Sequence, residues 1–193
     1  MPRKPAAPED LSAKKALALE VIARLKKEYP DAACTLDYDH AWQLLVSVRL
    51  AAQCTDARVN IVVEDLFAKY PSVAALAAAE PEEIEAIVKP CGLGHSKARD
   101  ISACMRMLRD KYDCKVPTTF EELLSLPGVG RKSANLIMGD VFGKPAIVTD
   151  THCIRLGKKT FPQSVCFKLY LWTKACEGSG AGPCYCRKGR GGV

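Results

Sequence analysis

The sequence predicts an all-α fold, and three observations support this prediction. Apolar residues recur at helical spacing through most of the first 150 residues. Capping residues and prolines stand where such helices would begin or end. Only Lys144–Val148 has the composition of a strand. With 193 residues, of which 48% are apolar, the chain can bury one or two cores, so we expect a multi-helix bundle.

The individual helices follow from local signals. Met1–Leu11 is charged and rich in Pro and Ala, so we expect it to be loose, and a helix follows over about Ser12–Tyr29. Pro81 and the acidic residues after it suit a first helical turn, and Thr119 with Glu122 forms a capping box. The other predicted helices are His40–Ala52, Asp56–Lys69, Pro71–Ala79, Pro81–Val88, Ser96–Tyr112, one that ends near Ser125, and Val129–Gly139.

The charge of the chain is unevenly distributed. The net charge of +6 suggests a nucleic-acid partner, but the first 150 residues hold 20 basic and 21 acidic residues. The basic excess therefore lies in the last 43 residues, and local placement must decide whether the body binds phosphate. No apolar run approaches the roughly 18 residues of a membrane helix, and Met1–Leu11 lacks the apolar core of a secretory signal. We expect a soluble cytoplasmic protein.

The ten cysteines fall into two groups. The first group is scattered through mostly apolar surroundings and is expected to consist of buried, reduced thiols: Cys34, Cys54, Cys91, Cys104 and Cys114. The second group crowds into the C-terminal segment, where metal ligation has to be considered: Cys153, Cys166, Cys176, Cys184 and Cys186.

Leu126–Asn135 contains the most informative motif of the chain. Gly128 and Gly130 permit a tight turn whose backbone N–H groups can face outward, and the helix that follows adds further unpaired N–H groups. Arg131 adds a phosphate-binding side chain, so the segment predicts an anion site suited to a DNA phosphate. A P-loop or a dinucleotide-binding loop does not fit, because this loop is shorter and follows a helix. A helix-hairpin-helix phosphate clamp over residues 118–140 remains.

A second Gly-X-Gly turn precedes another predicted helix. Cys91–Ala98 parallels Pro127–Ala134, and each segment leads into a helix with a basic residue in its first turn. Two independent helix–helix turns and a functional pairing explain this similarity equally well on the sequence alone.

Lys132 and Asp150 each have a structural and a chemical interpretation. Lys132 is either a surface lysine that contacts phosphate or an amine nucleophile. For the second role its pKa must fall well below the free value of about 10.4, through partial burial and the positive helix end. Asp150 is either a helix N-cap or a carboxylate that accepts a proton or stabilises a sugar cation near the amine. The residues alone leave both choices open.

Three motifs stand in order along the chain: Leu50–Asn60, Gly92–Ala98, and Leu126–Asn135 followed by Val148–His152. Their residues and spacing resemble the endonuclease III family of the helix-hairpin-helix DNA glycosylase superfamily. The resemblance extends from about Leu17 to Leu156. It implies a helix-hairpin-helix DNA glycosylase fold and a base-excision repair enzyme. That enzyme would be a DNA N-glycosylase and AP lyase that acts on duplex DNA containing oxidised pyrimidines or abasic sites.

The resemblance also implies roles for individual residues. Lys132 matches the family's Schiff-base lysine, and Asp150 matches its essential aspartate. Gln53 and Leu93 match the residues that fill the gap when the damaged nucleotide is flipped out, a step needed because C1′ of a stacked nucleotide is out of reach. The further expected DNA contacts are His95, Gly128, Val129, Gly130 and Arg131.

Three other polar residues have simpler interpretations. His95 could equally be a solvated turn residue, His152 is interpreted as a helix-start residue, and Asp56 as a helix cap.

The C-terminal segment departs from the family pattern near Gly157. The family's four cysteines, spaced C-x6-C-x2-C-x5-C, hold a [4Fe–4S] cluster, whereas the last three cysteines here are spaced C-x7-C-x1-C. We therefore expect that this sequence supports no cofactor and no metal site. A frameshift or truncation near Gly157 would explain the abrupt loss of helical periodicity. Resequencing the source DNA tests this hypothesis, and an intact reading frame would refute it.

These expectations divide the chain into four parts. Residues 1–11 form a loose N-terminal segment, and residues 12–32 form a helix of the second, cluster-type domain. Residues 33–148 form the helical domain with the helix-hairpin-helix at 118–140, and residues 149–193 form an aberrant segment that leaves the second domain incomplete. Each large apolar side chain of the first helix left without a partner would forfeit roughly 1.5–3 kcal/mol.

Three functional hypotheses follow from the sequence. The first is the glycosylase and lyase, acting as a monomer at the nucleoid. The second is a non-catalytic helix-hairpin-helix DNA-binding relic, and the third is a remnant that does not fold stably. A cooperative thermal transition would exclude the third.

Overall fold

The computed structural model describes residues 11–160, and every regular element within them is helical. The α-helices in chain order are α1 (Leu11–Glu28), α2 (Ala41–Leu50), α3 (Asp56–Lys69), α4 (Val73–Ala78), α5 (Pro81–Val88), α6 (Gly94–Lys111), α7 (Phe120–Ser125), α8 (Arg131–Asp140) and α9 (Thr151–Thr160). A 3-10 turn at Lys89–Cys91 joins α5 to α6. The predicted all-α fold is confirmed. None of the described helices is both long and apolar enough to cross a membrane.

Helix α6 lies at the centre of the packing. It packs against α4, α5 and α2, while α2 and α7 both pack against α8. The apolar stripe of α6 is buried as its spacing predicts, and its members are Ala98, Ile101, Cys104, Met105 and Leu108. Burial of each large apolar side chain contributes about 1.5–3 kcal/mol, so this stripe is a major source of stability.

Local capping explains several helix starts. The hydroxyl of Thr119 accepts a hydrogen bond of 3.3 Å from the backbone N–H of Glu122, and Pro81 begins α5, as the sequence predicts. The prediction that Asp56 caps α3 is wrong, because Thr55 holds the extended N-cap position. Asp56 is the first residue of the helix, and its carboxylate accepts a hydrogen bond from the hydroxyl of Thr35.

Lys144–Val148 does not form the strand that its composition suggests. The backbone N–H of Lys144 donates a 2.9 Å hydrogen bond to the carbonyl of Met138 and thereby closes the end of α8. Pro145 has no N–H to donate to a sheet. The segment is therefore an irregular connection between α8 and α9.

The cysteines of the body are not uniformly buried. Cys91 and Cys104 are buried as expected, whereas Cys34 and Cys54 are half-buried. Cys114 is exposed, because it lies in the turn after α6 and has a left-handed φ of 59°. Burial raises the pKa of the Cys104 thiol to about 12, so this thiol is an inert core group at neutral pH.

The second domain remains a prediction. Leu17 and Leu25 of α1 are exposed in the part of the chain that the structure describes. The segment predicted to be aberrant falls mostly in residues 161–193, which lie outside the described residues, as does most of the N-terminal segment at residues 1–11.

Candidate functional site

The hairpin between α7 and α8 is a tight turn anchored by one buried side chain. Leu126 is buried, and its carbonyl accepts a 3.2 Å hydrogen bond from the backbone N–H of Val129. Gly128 has a φ of +74°, which strongly favours glycine. Gly130 is the extended N-cap of α8 with a φ of −97°, so only the first of the two glycines needs its conformational freedom.

The inner side of the hairpin rests on an ion pair. Arg49 of α2 donates a 2.7 Å hydrogen bond to the carboxylate of Asp100 on α6. A Cβ added to Gly128 would lie 2.9 Å from Asp100 Cβ and 3.1 Å from Arg49 Cδ. The missing side chain at Gly128 therefore lets the hairpin backbone sit directly on the pair, which ties α2 and α6 to the turn.

The outer side of the hairpin is open. A Cβ at Gly130 would meet nothing within 4 Å, and Arg131 is exposed. The first turn of an α-helix presents N–H groups without intrahelical partners and carries a partial positive charge. The start of α8 thus offers an accessible site for an anion such as a phosphate.

Lys132 is the second residue of α8, and its side chain is exposed. The expectation of partial burial is therefore wrong for the free protein. The buried face of α8 includes Ala134 and Ile137. Because a helix turns about 100° per residue, Lys132 lies roughly opposite Ala134. The amine is consequently accessible to a large substrate.

Asp150 holds the N-cap position of α9, which is the structural one of its two predicted roles, and its chemical role stays a prediction. Its carboxylate accepts a 2.7 Å hydrogen bond from the backbone N–H of Cys153, and its carbonyl accepts one of 2.9 Å from Ile154, which is the pattern of an N-cap for α9. The hydrogen bond from Cys153 lowers the pKa of Asp150, and the positive charge of Lys132 lowers it further against the opposing effect of burial. The structure thus brings Asp150 within electrostatic reach of Lys132.

Gln53 and Leu93 share an unusual conformation. Both side chains are exposed, and both residues have left-handed φ angles, 57° for Gln53 and 51° for Leu93. Gln53 lies in the turn after α2, and Leu93 immediately precedes α6 with 60% of its surface exposed. A left-handed backbone costs a non-glycine residue about 1–2 kcal/mol. Among the described residues, only Asp113 and Cys114 share this feature without being predicted site residues.

His95, an expected DNA contact, and His152 both lie in helices. His95 is in the first turn of α6 rather than in the turn before it, and its Nδ1 lies 3.0 Å from a carboxylate oxygen of Glu85. His152 is the second residue of α9, as predicted for a helix-start residue, and its Nδ1 lies 3.3 Å from a guanidinium nitrogen of Arg155.

Two features were missed by sequence reasoning. The Arg49–Asp100 pair joins residues 51 positions apart, and no local pattern signals it. Lys97 is fully buried, whereas the sequence pattern identified it only as a basic residue in the first turn of a helix. Its position directly before the buried stripe that begins at Ala98 was the available signal.

No group of three or more His, Cys, Asp or Glu residues that could hold a metal ion is present in residues 11–160. Of the five C-terminal cysteines, Cys153 alone is described. The expectation that the sequence supports no cofactor therefore stays a prediction.

Comparison with known proteins places this geometry in a family. The HhH-GPD superfamily of base excision DNA repair proteins matches residues 46–164. An endonuclease III of Synechocystis sp. is 45% identical over 150 residues, which cover 77% of this chain and 68% of that relative.

Two solved structures share the fold. A non-covalent endonuclease III–DNA complex has a TM-score of 0.74 and 39% identity, and the match covers 84% of this chain and 76% of that one. A trapped endonuclease III–DNA covalent intermediate has a TM-score of 0.71 and 38% identity, with coverage of 83% and 82%.

The fold, the hairpin and these matches define a helix-hairpin-helix protein of DNA repair. The chain belongs to the HhH-GPD superfamily of base excision DNA repair proteins. The relatives and the solved structures are endonucleases III, which confirms the family and the class of enzyme predicted from the three motifs.

Proposed function

We propose that this chain is a bifunctional DNA N-glycosylase and AP lyase that acts on duplex DNA containing oxidised pyrimidines or abasic sites. One observation carries the proposal. An accessible amine, that of Lys132, lies at the start of α8, just after the hairpin, and attracts the carboxylate of Asp150. The trapped DNA intermediate of the related endonuclease III supports covalent chemistry in this fold. The proposed location is the nucleoid.

The hairpin would hold the DNA backbone. The N–H groups at the start of α8 and the guanidinium of Arg131 would bind a phosphate, and the missing side chain at Gly130 leaves the approach open. Such a site works on a body of nearly neutral charge, because it uses oriented dipoles and one local cation.

Flipping would expose C1′ of the damaged nucleotide to the amine. Gln53 and Leu93, which are exposed on left-handed turns, would fill the gap left in the duplex. The bound DNA would then place C1′ beside the amine of Lys132 and exclude water from the site.

The covalent steps follow from the chemistry of an amine at C1′. The nitrogen of Lys132 forms a bond to C1′ as the glycosidic bond breaks, and the base departs with the bonding electrons and takes up a proton. Opening of the sugar gives a protonated imine. Loss of a proton from C2′ then breaks the C3′–O bond by β-elimination, and water releases the lysine.

The lowered pKa of Asp150 indicates its part in this sequence. A carboxylate that is hydrogen-bonded and close to a lysine is a weak base at neutral pH, because proton transfer is most efficient when the pKa lies near the working pH. Asp150 is therefore better suited to stabilise positive charge on the sugar than to hold a proton. It would remain ionised throughout the reaction.

Borohydride trapping tests the proposal. The purified chain is incubated with duplex DNA containing thymine glycol or an abasic site, reduced, and resolved on a denaturing gel. An adduct that disappears in Lys132→Ala and persists in Lys115→Ala, a control at another exposed lysine, supports the lyase. DNA binding by a cooperatively melting protein without any adduct would contradict it and leave the non-catalytic binding module.

A further inference from the structure

Lys97 is a charged side chain with no exposed surface. Its ammonium nitrogen donates a 2.8 Å hydrogen bond to the carbonyl of Leu50 and another of 2.8 Å to the carbonyl of Cys91. Burying an ammonium group is costly unless hydrogen bonds compensate for the lost water. An apolar side chain at this position would avoid that cost, so core packing alone does not explain a lysine here.

The two carbonyls belong to the turns that present Gln53 and Leu93. Leu50 is the last residue of α2, three positions before Gln53, and Cys91 ends the 3-10 turn, two positions before Leu93. The backbone N–H of Lys97 also donates a 3.0 Å hydrogen bond to the carbonyl of Leu93. A single residue is therefore bonded to both turns.

The surroundings of the ammonium group contain thiols and a second cation. Burial lowers the pKa of Lys97, the neighbouring Cys91 and Cys54 raise it, and Arg49 lowers it. Burial also raises the pKa of Cys91 to about 11, so this thiol carries no charge at neutral pH. The two carbonyl dipoles thus supply the main polar partners of the ammonium group.

We infer that Lys97 is a positioning residue that fixes the turn of Gln53 relative to the turn of Leu93, so that both side chains enter the duplex as one unit. The inference rests on the proposed function, in which these two side chains fill the gap. Lys97 does not touch the reacting atoms. It acts by holding two strained, exposed turns at a constant separation.

Lys97→Met removes the ammonium group and keeps a long apolar side chain in the core. The carbonyls of Leu50 and Cys91 then lose their shared partner, and the two turns move independently. Gln53 and Leu93 need to fill a gap only in duplex DNA, where the bases around the flipped nucleotide must stay stacked. We therefore expect adduct formation with an abasic site in duplex DNA to slow by about tenfold or more. The rate with the same oligonucleotide as a single strand should change less than about twofold, because no gap is filled there.

Met105→Ala is the matched control. Met105 lies on the same helix with 1% of its surface exposed, and its truncation weakens the core without touching either turn. This variant should change both rates by the same factor. An equal loss on duplex and single-stranded DNA in Lys97→Met would overturn the inference.

Two further outcomes keep the test decisive. If the wild-type protein forms no adduct with either substrate, the proposed function fails and the inference fails with it. If Lys97→Met does not melt cooperatively, a double-mutant cycle of Gln53→Ala and Leu93→Ala in the wild-type background replaces it. Both side chains are exposed, so their truncation should not disturb the fold. If the two substitutions lower the rate of adduct formation on duplex DNA by free energies that are not additive, the two turns act together. Strictly additive free energies would overturn the inference.

Discussion

The ammonium group of Lys132 attracts the carboxylate of Asp150, while the backbone N–H of Cys153 donates a 2.7 Å hydrogen bond to the same carboxylate. Asp150 is thus fixed at the start of α9 and lies within electrostatic reach of the amine on α8. Asp150 therefore connects the start of the last described helix to the proposed nucleophile.

Asp150→Asn should separate these two contributions. The Asn side-chain oxygen can still accept the hydrogen bond from Cys153, so α9 keeps its cap, whereas the charge that faces Lys132 is lost. At pH 7 we expect a small loss of unfolding free energy, less than that of Asp150→Ala, and a rate of adduct formation lower by about a hundredfold. Asp150→Ala, which loses the cap as well, should cost about 1 kcal/mol of unfolding free energy. Equal rates for Asp150→Asn and the wild type would refute an electrostatic role.

The pH dependence of stability follows from the same group. The folded pKa of Asp150 is lowered, so its charged form stabilises the fold above the unfolded value of about 3.9. That contribution is lost as the pH falls through the lowered folded value. The difference in unfolding free energy between the wild type and Asp150→Asn should therefore shrink between pH 7 and pH 3, as measured by urea denaturation. A difference that is independent of pH would contradict this assignment.

Gly128→Ala should destabilise the hairpin. The new Cβ would lie 2.9 Å from Asp100 Cβ, and the φ of +74° is strained for alanine, so we expect a loss of about 1–3 kcal/mol of unfolding free energy. Chemical denaturation measures this loss. Gly130→Ala is the control, because its Cβ meets nothing within 4 Å and its backbone is extended; it should unfold like the wild type. Comparable losses in the two variants would show that the hairpin does not rest on Asp100.

Leu93→Gly should lower the activity and relieve the strain of the left-handed backbone. Glycine adopts the left-handed φ of 51° freely, and the leucine side chain is 60% exposed, so the unfolding free energy should stay constant or rise by up to about 1 kcal/mol. Adduct formation with duplex DNA should fall by about tenfold or more, because the gap is no longer filled. Ile61→Ala, which removes another exposed apolar side chain, should leave the rate unchanged. A stable and fully active Leu93→Gly would exclude Leu93 from the site.

The ion pair between Arg49 and Asp100 beneath the hairpin should give a measurable coupling free energy in unfolding experiments. Arg49 and Asp100 are 21% and 33% exposed, and their side chains approach to 2.7 Å. A double-mutant cycle with Arg49→Met and Asp100→Asn should give a coupling free energy of about 0.5–3 kcal/mol in thermal or chemical unfolding. Additive effects of the two substitutions would show that the pair is not a stabilising contact.

Local signals predicted most of the helical framework. The bounds of α3 and α5 agree with the prediction, because apolar spacing continues to their ends and a proline marks the start of α5. The start of α8 was placed two residues too early, since Val129 belongs to the hairpin turn.

The site was only partly predictable. The hairpin glycines, Lys132 and Asp150 lie within short motifs, so the sequence could identify them. The burial of Lys97 and the pairing of Arg49 with Asp100 depend on contacts across about 50 residues, as in the hydrogen bond from Lys97 to Leu50, and no local pattern encodes them. The exposure of the Lys132 side chain likewise depends on how α8 is rotated about its own axis against the helices it packs on, which no local pattern encodes.

Locating the covalent bond between protein and DNA would identify the nucleophile. The adduct formed with an abasic-site duplex under borohydride is digested with trypsin and nuclease, and the modified peptide is sequenced by mass spectrometry. We expect a sugar remnant on Lys132, in a peptide that begins after Arg131. A remnant on another amine, such as Lys144, would contradict the assignment of Lys132 as the nucleophile.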